Sequence, residues 1–350
     1  MTRSTLQTRS IVTATFGILA TLGIGSFASA DPLPGEQLKF YLAPLNGAVA
    51  GSTGVYPVGA APLATDQPAP FLGHDELSTA TTSDGTTYNG KIMADDFLDT
   101  NPNPIAHITF WGSYMYGTDP GTVAAGVQQF RITLYSDIAG NPAQGIPSEP
   151  GAPIVSQTVN LVAGPLASSS ATFTATPVPP NGPGAVQPGD SGLYEYNAEL
   201  DWNPLVSPKA KTFPDAYFNS AATGDQVEWL SIVALVPENP GTGPALAWGW
   251  HDRDYGIADP LAAPGFETTT PPYHAGDDAV SGDFSFTSGS GLPVSGGYVP
   301  QDYIPTYDGI STSKDLAFAL YTVPVPEPAT LGFLGLIAPL LLMRRRRHSA

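Results

Sequence analysis

Between Asp31 and Thr322, apolar residues recur at every second position in short stretches, and no stretch repeats with the period of a helix. Ile108, Phe110, Tyr114 and Tyr116 take one face, while His107, Thr109, Trp111 and Ser113 take the other. Phe130, Ile132 and Leu134 alternate with Arg131, Thr133 and Tyr135. Val155, Val159 and Leu161 alternate with Ser156, Thr158 and Asn160, and Tyr194, Tyr196, Ala198 and Leu200 with Glu195, Asn197 and Glu199. A strand turns successive side chains to opposite faces, so this pattern predicts half-buried strands in a sheet with one wet face. Trp229 to Val236 is apolar on both faces and reads as a central strand. Leu246, Trp248 and Trp250 follow, and Leu316, Phe318 and Leu320 form the last strand.

Thirty-seven prolines and thirty-eight glycines punctuate these stretches without forming a repeat. Many short strands separated by turn signals predict an all-β fold, a β-sandwich or jelly roll, occupying residues 31–322 as one domain. Sheets packed face to face would bury the aromatic residues between them. Residues 41–90 and 256–312 are poorer in pattern and read as long loops decorating one core, with room for an edge strand. The chain has no cysteine. That excludes disulfides, thiol catalysis and thiolate metal sites, and leaves stability to the hydrophobic core.

The formal net charge is −18. Six of the basic residues, Arg3, Arg9 and Arg344 to Arg347, lie in the two ends, so the body is more acidic still. Such a surface repels nucleic acid, which removes that class of partner, and it favours bound cations, calcium above all outside a cell.

The N-terminus runs from Arg3 and Arg9 through an apolar stretch, Ile11 to Phe27, to the small residues Ala28-Ser29-Ala30. That order predicts a secretory signal peptide over residues 1–30, read by the secretory translocase and cut between Ala30 and Asp31. At the other end, Pro326-Glu327-Pro328 precedes the thirteen apolar residues 331–343 and then Arg344 to Arg347. At about 1.5 Å per residue this segment reaches roughly 20 Å, short of the ~30 Å hydrocarbon core, so it suits transient membrane contact better than permanent residence. The arginines would hold its end inside. The three-part arrangement over residues 325–350 resembles the PEP-CTERM sorting signal. The resemblance implies recognition by an exosortase, a cut near Pro326-Glu327-Pro328, and delivery to the cell surface or exopolysaccharide matrix of a Gram-negative-type bacterium.

A second series runs through the body. Ala94-Asp95-Asp96-Phe97, Ile108 to Tyr114, Trp248-Gly249-Trp250-His251-Asp252-Arg253, Asp277-Asp278-Ala279-Val280 and Asp315-Leu316-Ala317-Phe318 follow in order. The series is similar to an uncharacterised β-rich domain common in planctomycete PEP-CTERM proteins, and it covers most of residues 85–322. That family has no established activity to carry over.

Four features bear on chemistry. Gly189-Asp190-Ser191-Gly192, with His107 upstream, has the core of a serine-protease motif, but Leu193 stands where a glycine is needed, and a turn before the next strand accounts for it. Trp248, Trp250 and Arg253 combine aromatic faces with a guanidinium, as sugar rings require, and are the candidate glycan-binding residues. The alternative for them is core packing on one strand face. Asp95, Asp96 and Asp99 form one acidic cluster and Asp277 and Asp278, with Asp283, another; either could hold calcium with hard oxygen ligands, or be solvated turn acids. His251 and His274 lack the spacing of a zinc motif. No catalytic residues are assigned. The reading is an exported structural or adhesive protein that contacts exopolysaccharide, with an extracellular polysaccharide hydrolase and a ligand-free structural surface protein as alternatives.

Overall fold

The computed structural model describes residues 35–44, 75–99, 105–139, 148–162, 171–178, 192–200, 226–238, 244–253, 279–287, 299–300 and 315–322. These residues are almost entirely strand: β1 (Gln37–Leu42), β2 (Asp75–Leu77), β3 (Thr79–Thr82), β4 (Thr87–Asp99), β5 (Ile105–Tyr114), β6 (Gln129–Ile138), β7 (Glu149–Leu161), β8 (Thr172–Pro177), β9 (Tyr194–Glu199), β10 (Gln226–Pro237), β11 (Trp248–His251), β12 (Val280–Thr287), β13 (Val299–Pro300) and β14 (Phe318–Thr322). A three-residue 3-10 turn, Val123–Ala125, is the one helical element among them. No helix among the described residues is long and apolar enough to cross a membrane.

Among the described residues all strands belong to one mixed sheet in the order β1-β14-β5-β9-β8-β7-β6-β10-β3-β4-β12-β13, with β11 joining β5 and β2. Among these strands only β10–β3 and β7–β8 pair in parallel. The sheet folds over on itself. Phe40 of β1, at one end of the order, stacks on Phe318 at 5.2 Å and lies 5.8 Å from Phe97 of β4, near the other end. Phe110 and Tyr196 meet Phe130 across the same interior, each at 5.1 Å. The fold class is therefore all-β and sandwich-like, as the alternation predicts. β10 is a central strand, flanked by β6 on one edge and by β3 and β4 on the other.

The expectation of one wet face needs correction. All ten residues of β5 and all five of β14 are buried. Trp111, Ala317, Ala319 and Tyr321 form a second apolar layer on the outer side of β5 and β14, and Trp229, Tyr135, Val233 and Val280 form another outside β10, β6 and β12. Strands covered on both faces lose the polar side of their alternation, which is why Trp111 stands where a solvated residue is expected. The reading of residues 41–90 and 256–312 as loops is corrected as well. They carry β2, β3, β12, β13 and the start of β4. β3, short and threonine-rich, is not an edge strand: it sits between β10 and β4. Its place comes from long-range pairing that local pattern does not report.

Two devices close the sandwich. Ser78, between β2 and β3, carries the chain from one layer to the other. Its N–H donates to Trp248 O (3.0 Å), its hydroxyl donates to Ile232 O (2.6 Å) and accepts from Met93 N (3.1 Å), and its carbonyl accepts from Ala234 N (2.9 Å). The other device joins β4 to β1 and β14. The β1–β14 register slips between Leu38 and Phe40, making Lys39 the extra residue of a β-bulge. A bulge re-aims its side chain. Here Phe40 faces the core while Lys39 reaches the Asp99 carboxylate of β4 in an ion pair whose two side chains are shut off from solvent.

Candidate functional site

The stretch Trp248 to Arg253 is the densest in chemistry, and the structure places it inside. On β11 the alternation sends Trp248 and Trp250 into the main core, where both are 0% exposed. Trp248 meets Phe110, Phe130 and Tyr196 edge-on at 4.8 to 5.9 Å, and Trp250 donates its indole N–H to Ala317 O at 2.9 Å. Gly249 faces outward between them, opposite Ser113. A Cβ there would stand 2.7 Å from Asp75 Cβ and from Met115 Sδ. One at Gly112 would stand 2.3 Å from Gly249 O and 2.4 Å from the Trp248 ring. Trp-Gly-Trp is thus a packing device: two indoles inward and no side chain where the backbones close. The glycan-stacking role expected of Trp248 and Trp250 is corrected on this ground, since neither ring offers a face to a sugar. Arg253 is buried too. It pairs with the Asp315 carboxylate, and its N–H donates to Asp315 O at 3.0 Å.

Outside β11 and β5, Asp75 accepts from the Ser113 hydroxyl and lies 2.9 Å from His251 Nδ1. The three residue types are those of a hydrolytic triad, but the acid stands between the serine and the histidine. A base must touch the nucleophile. This arrangement locks β2 onto β5 and β11 instead. His107, which precedes the Gly-Asp-Ser-Gly stretch in sequence, lies 3.1 Å from Glu36 and stacks on Tyr321 at 5.0 Å. Ser191 lies outside the described residues.

The first acidic cluster does not converge. Consecutive strand residues face opposite ways. Met93 and Phe97 point into the main core and Ile92 and Ala94 into the outer layer, so Asp95 and Asp99 go with the former and Asp96 with the latter. Asp95 is 0% exposed; one oxygen accepts from Leu316 N at 2.7 Å and the other from Asp96 N at 3.1 Å. Asp99 holds Lys39. Asp95, Asp96 and Asp99, the first candidate calcium cluster, therefore do not face one point, and among the described residues no group of three acids or histidines is placed to share a metal ion. Asp277, Asp278 and His274 lie outside the described residues, as do Ala30, Asp31, Pro326, Glu327, Pro328 and residues 331–343. Asp283, on β12, is exposed.

Residues 62–320, nearly three quarters of the chain, match the family described as Domain of unknown function (DUF7901). The chain belongs to the DUF7901 family. Nothing among curated proteins or solved structures matches it. The DUF7901 match takes in β2 through most of β14 and leaves out β1, the strand that β14 pairs with.

One exposed feature of this DUF7901 chain escapes the sequence reading. Tyr116, placed there on the apolar face of a strand, lies beyond the end of β5 and is 71% exposed. It has a φ of 56°, and Gly117 follows with a φ of 70°. Thr118 N donates to Met115 O at 3.1 Å, closing a tight turn around the pair. Gly117, Asp119-Pro120 and Gly121 supply the sequence signal that the strand has stopped. Behind the turn, burial pushes the Tyr114 hydroxyl up to about 12, and it accepts from Val127 N at 2.9 Å.

Proposed function

We propose that this is an exported structural and adhesive domain, sorted through the PEP-CTERM route to the cell surface or its matrix, where it contacts exopolysaccharide. The supporting observation is the placement of the first and last described strands. β1 and β14 pair antiparallel, with Gln37 opposite Thr322. The two strands nearest in sequence to the Ala30–Asp31 junction and to Pro326 therefore lie side by side. Thr322 stands four positions before Pro326, so in the proposed route the cut falls within about 14 Å of the sheet. β14 itself is held on both edges, by β1 and β5. A domain hung from such a strand keeps its fold when the tail is engaged.

Intact-mass measurement and C-terminal peptide mapping of the protein from its producing cell, fraction by fraction, test the route. The expected product begins at Asp31, ends near Pro326-Glu327-Pro328 and sits in the outer-surface or matrix fraction. A chain that keeps Arg344 to Arg347 in the inner membrane would overturn the sorting reading.

A further inference from the structure

We propose that Tyr116 is a stacking platform for a ring of a neutral hexopyranose polysaccharide; this rests on the adhesive reading above and assigns it a residue.

Three observations meet at this position. The first is conformational. Two consecutive positive φ values inside an i to i+3 hydrogen bond belong to a type I′ turn, whose favoured pair is Asn-Gly. A bulky side chain at the first position is a strained choice, because its Cβ crowds the backbone there. The ring is largely exposed, and no hydrogen bond, ion pair or ring contact holds it among the described residues. Strain kept at an exposed aromatic points to a contact outside the chain.

The second is rigidity. Met115 N donates to Ala247 O at 2.8 Å. The Thr118 hydroxyl donates to Met115 O at 2.8 Å and accepts from Ala247 N at 3.0 Å. The turn is thus fastened to the segment leading into β11. Asp119 Oδ1 accepts from Gly121 N at 2.8 Å, which fixes the second half of the loop. A preset aromatic face binds without the cost of ordering a loop.

The third is chemistry and size. Among the described residues the other exposed large apolar residues are Leu38 on β1, Ile138 on β6 and Val162 just past β7, so the apolar surface this turn offers is one ring wide. That is too small for a stable protein interface but matches the C–H face of one pyranose. The Asp119 carboxylate, exposed three residues on, is an acceptor for sugar hydroxyls. With a net charge of −18 the chain repels polyanions, which selects a neutral glycan.

The test is affinity electrophoresis of the exported domain in gels containing soluble β-glucan, galactan or mannan, with alginate as the anionic control and the producing cell's own matrix polysaccharide as reference. Wild type is expected to be retarded by the matrix polysaccharide and at least one neutral glycan, and not by alginate. Tyr116→Phe keeps the ring and should keep the retardation. Tyr116→Asn should weaken binding roughly tenfold while raising Tm by roughly 1 to 3 °C, since it installs the favoured turn pair. Opposite signs in binding and stability are what a merely structural tyrosine would not give. Wild-type binding that Tyr116→Asn leaves unchanged overturns the inference but leaves the adhesive reading standing, as does a Tm that falls. No retardation by the matrix polysaccharide overturns the adhesive reading itself.

Discussion

Trp248-Gly249-Trp250 and Met115-Tyr116-Gly117 are two aromatic and glycine stretches that adjoin each other through the Met115 N to Ala247 O bond. They use the same residue types in opposite ways. In the first, glycine removes a side chain so that backbones close up, and the rings fill the core. In the second, glycine supplies a positive φ, and the ring is turned outward. Aromatic density along a sequence reports packing. An aromatic that is strained and exposed together is the better mark of a surface contact.

The sharpest way to break the first half of that contrast is to restore a side chain where the backbones meet. In Gly112→Ala the new Cβ would lie 2.3 Å from Gly249 O and 2.4 Å from the Trp248 ring, with backbone on one side and a fully buried indole on the other. The expected loss is more than about 3 kcal/mol, enough to leave little soluble folded protein. Wild-type Tm in thermal unfolding would show that β5 and β11 do not approach this closely. Trp250→Ala should cost about 3 to 5 kcal/mol through the cavity it leaves. Below its lowered Tm it should retain whatever glycan binding the wild type has. Lost binding at unchanged Tm would put the site back on β11.

These cases also show what a sequence carries. Alternation located β5, β6 and β9, and a run apolar on both faces located β10, because each buries a continuous apolar face, and burial is a property of the strand itself. It missed β3 and β12, whose positions rest on pairing with distant partners. It could not see that β5 is covered on both faces, since that depends on what lies outside. Asp95 and Asp99 looked like loop ligands for the same reason. Their partners, the Leu316 N–H and Lys39, come from the far end of the sheet order, and only the folded-over sheet brings them together.

That buried ionic seam invites a third experiment. Lys39→Met leaves the Asp99 carboxylate in the interior without its cation and should cost about 3 to 5 kcal/mol. Adding Asp99→Leu should recover most of the loss, because the desolvation of both charges is then removed. If the double variant is as unstable as the single one, the pair is not what joins β1 to β4. Chemical denaturation of the four forms gives the coupling directly.

The smallest expected effect lies at the β3–β4 hairpin. Asp84 Oδ1 accepts from Thr86 N and Thr87 N, each at 2.7 Å, and from the Thr82 hydroxyl at 3.1 Å. The backbone bond from Thr87, then that from Thr86, holds its carboxyl well below the usual carboxylate range. A depressed folded-state value means the contribution is fully present above the unfolded value of about 3.9 and fades as pH falls from there through the folded one. Asp84 is on the surface, so Tm should barely move, and the change should appear as local exchange. In wild type, protection of the Thr86 and Thr87 amides, normalised to the global stability at each pH, should decline only on acidification below about pH 4. In Asp84→Ala it should be low at every pH. Equal protection in both forms would mean that the β3–β4 pairing alone, and not the aspartate, sets the turn.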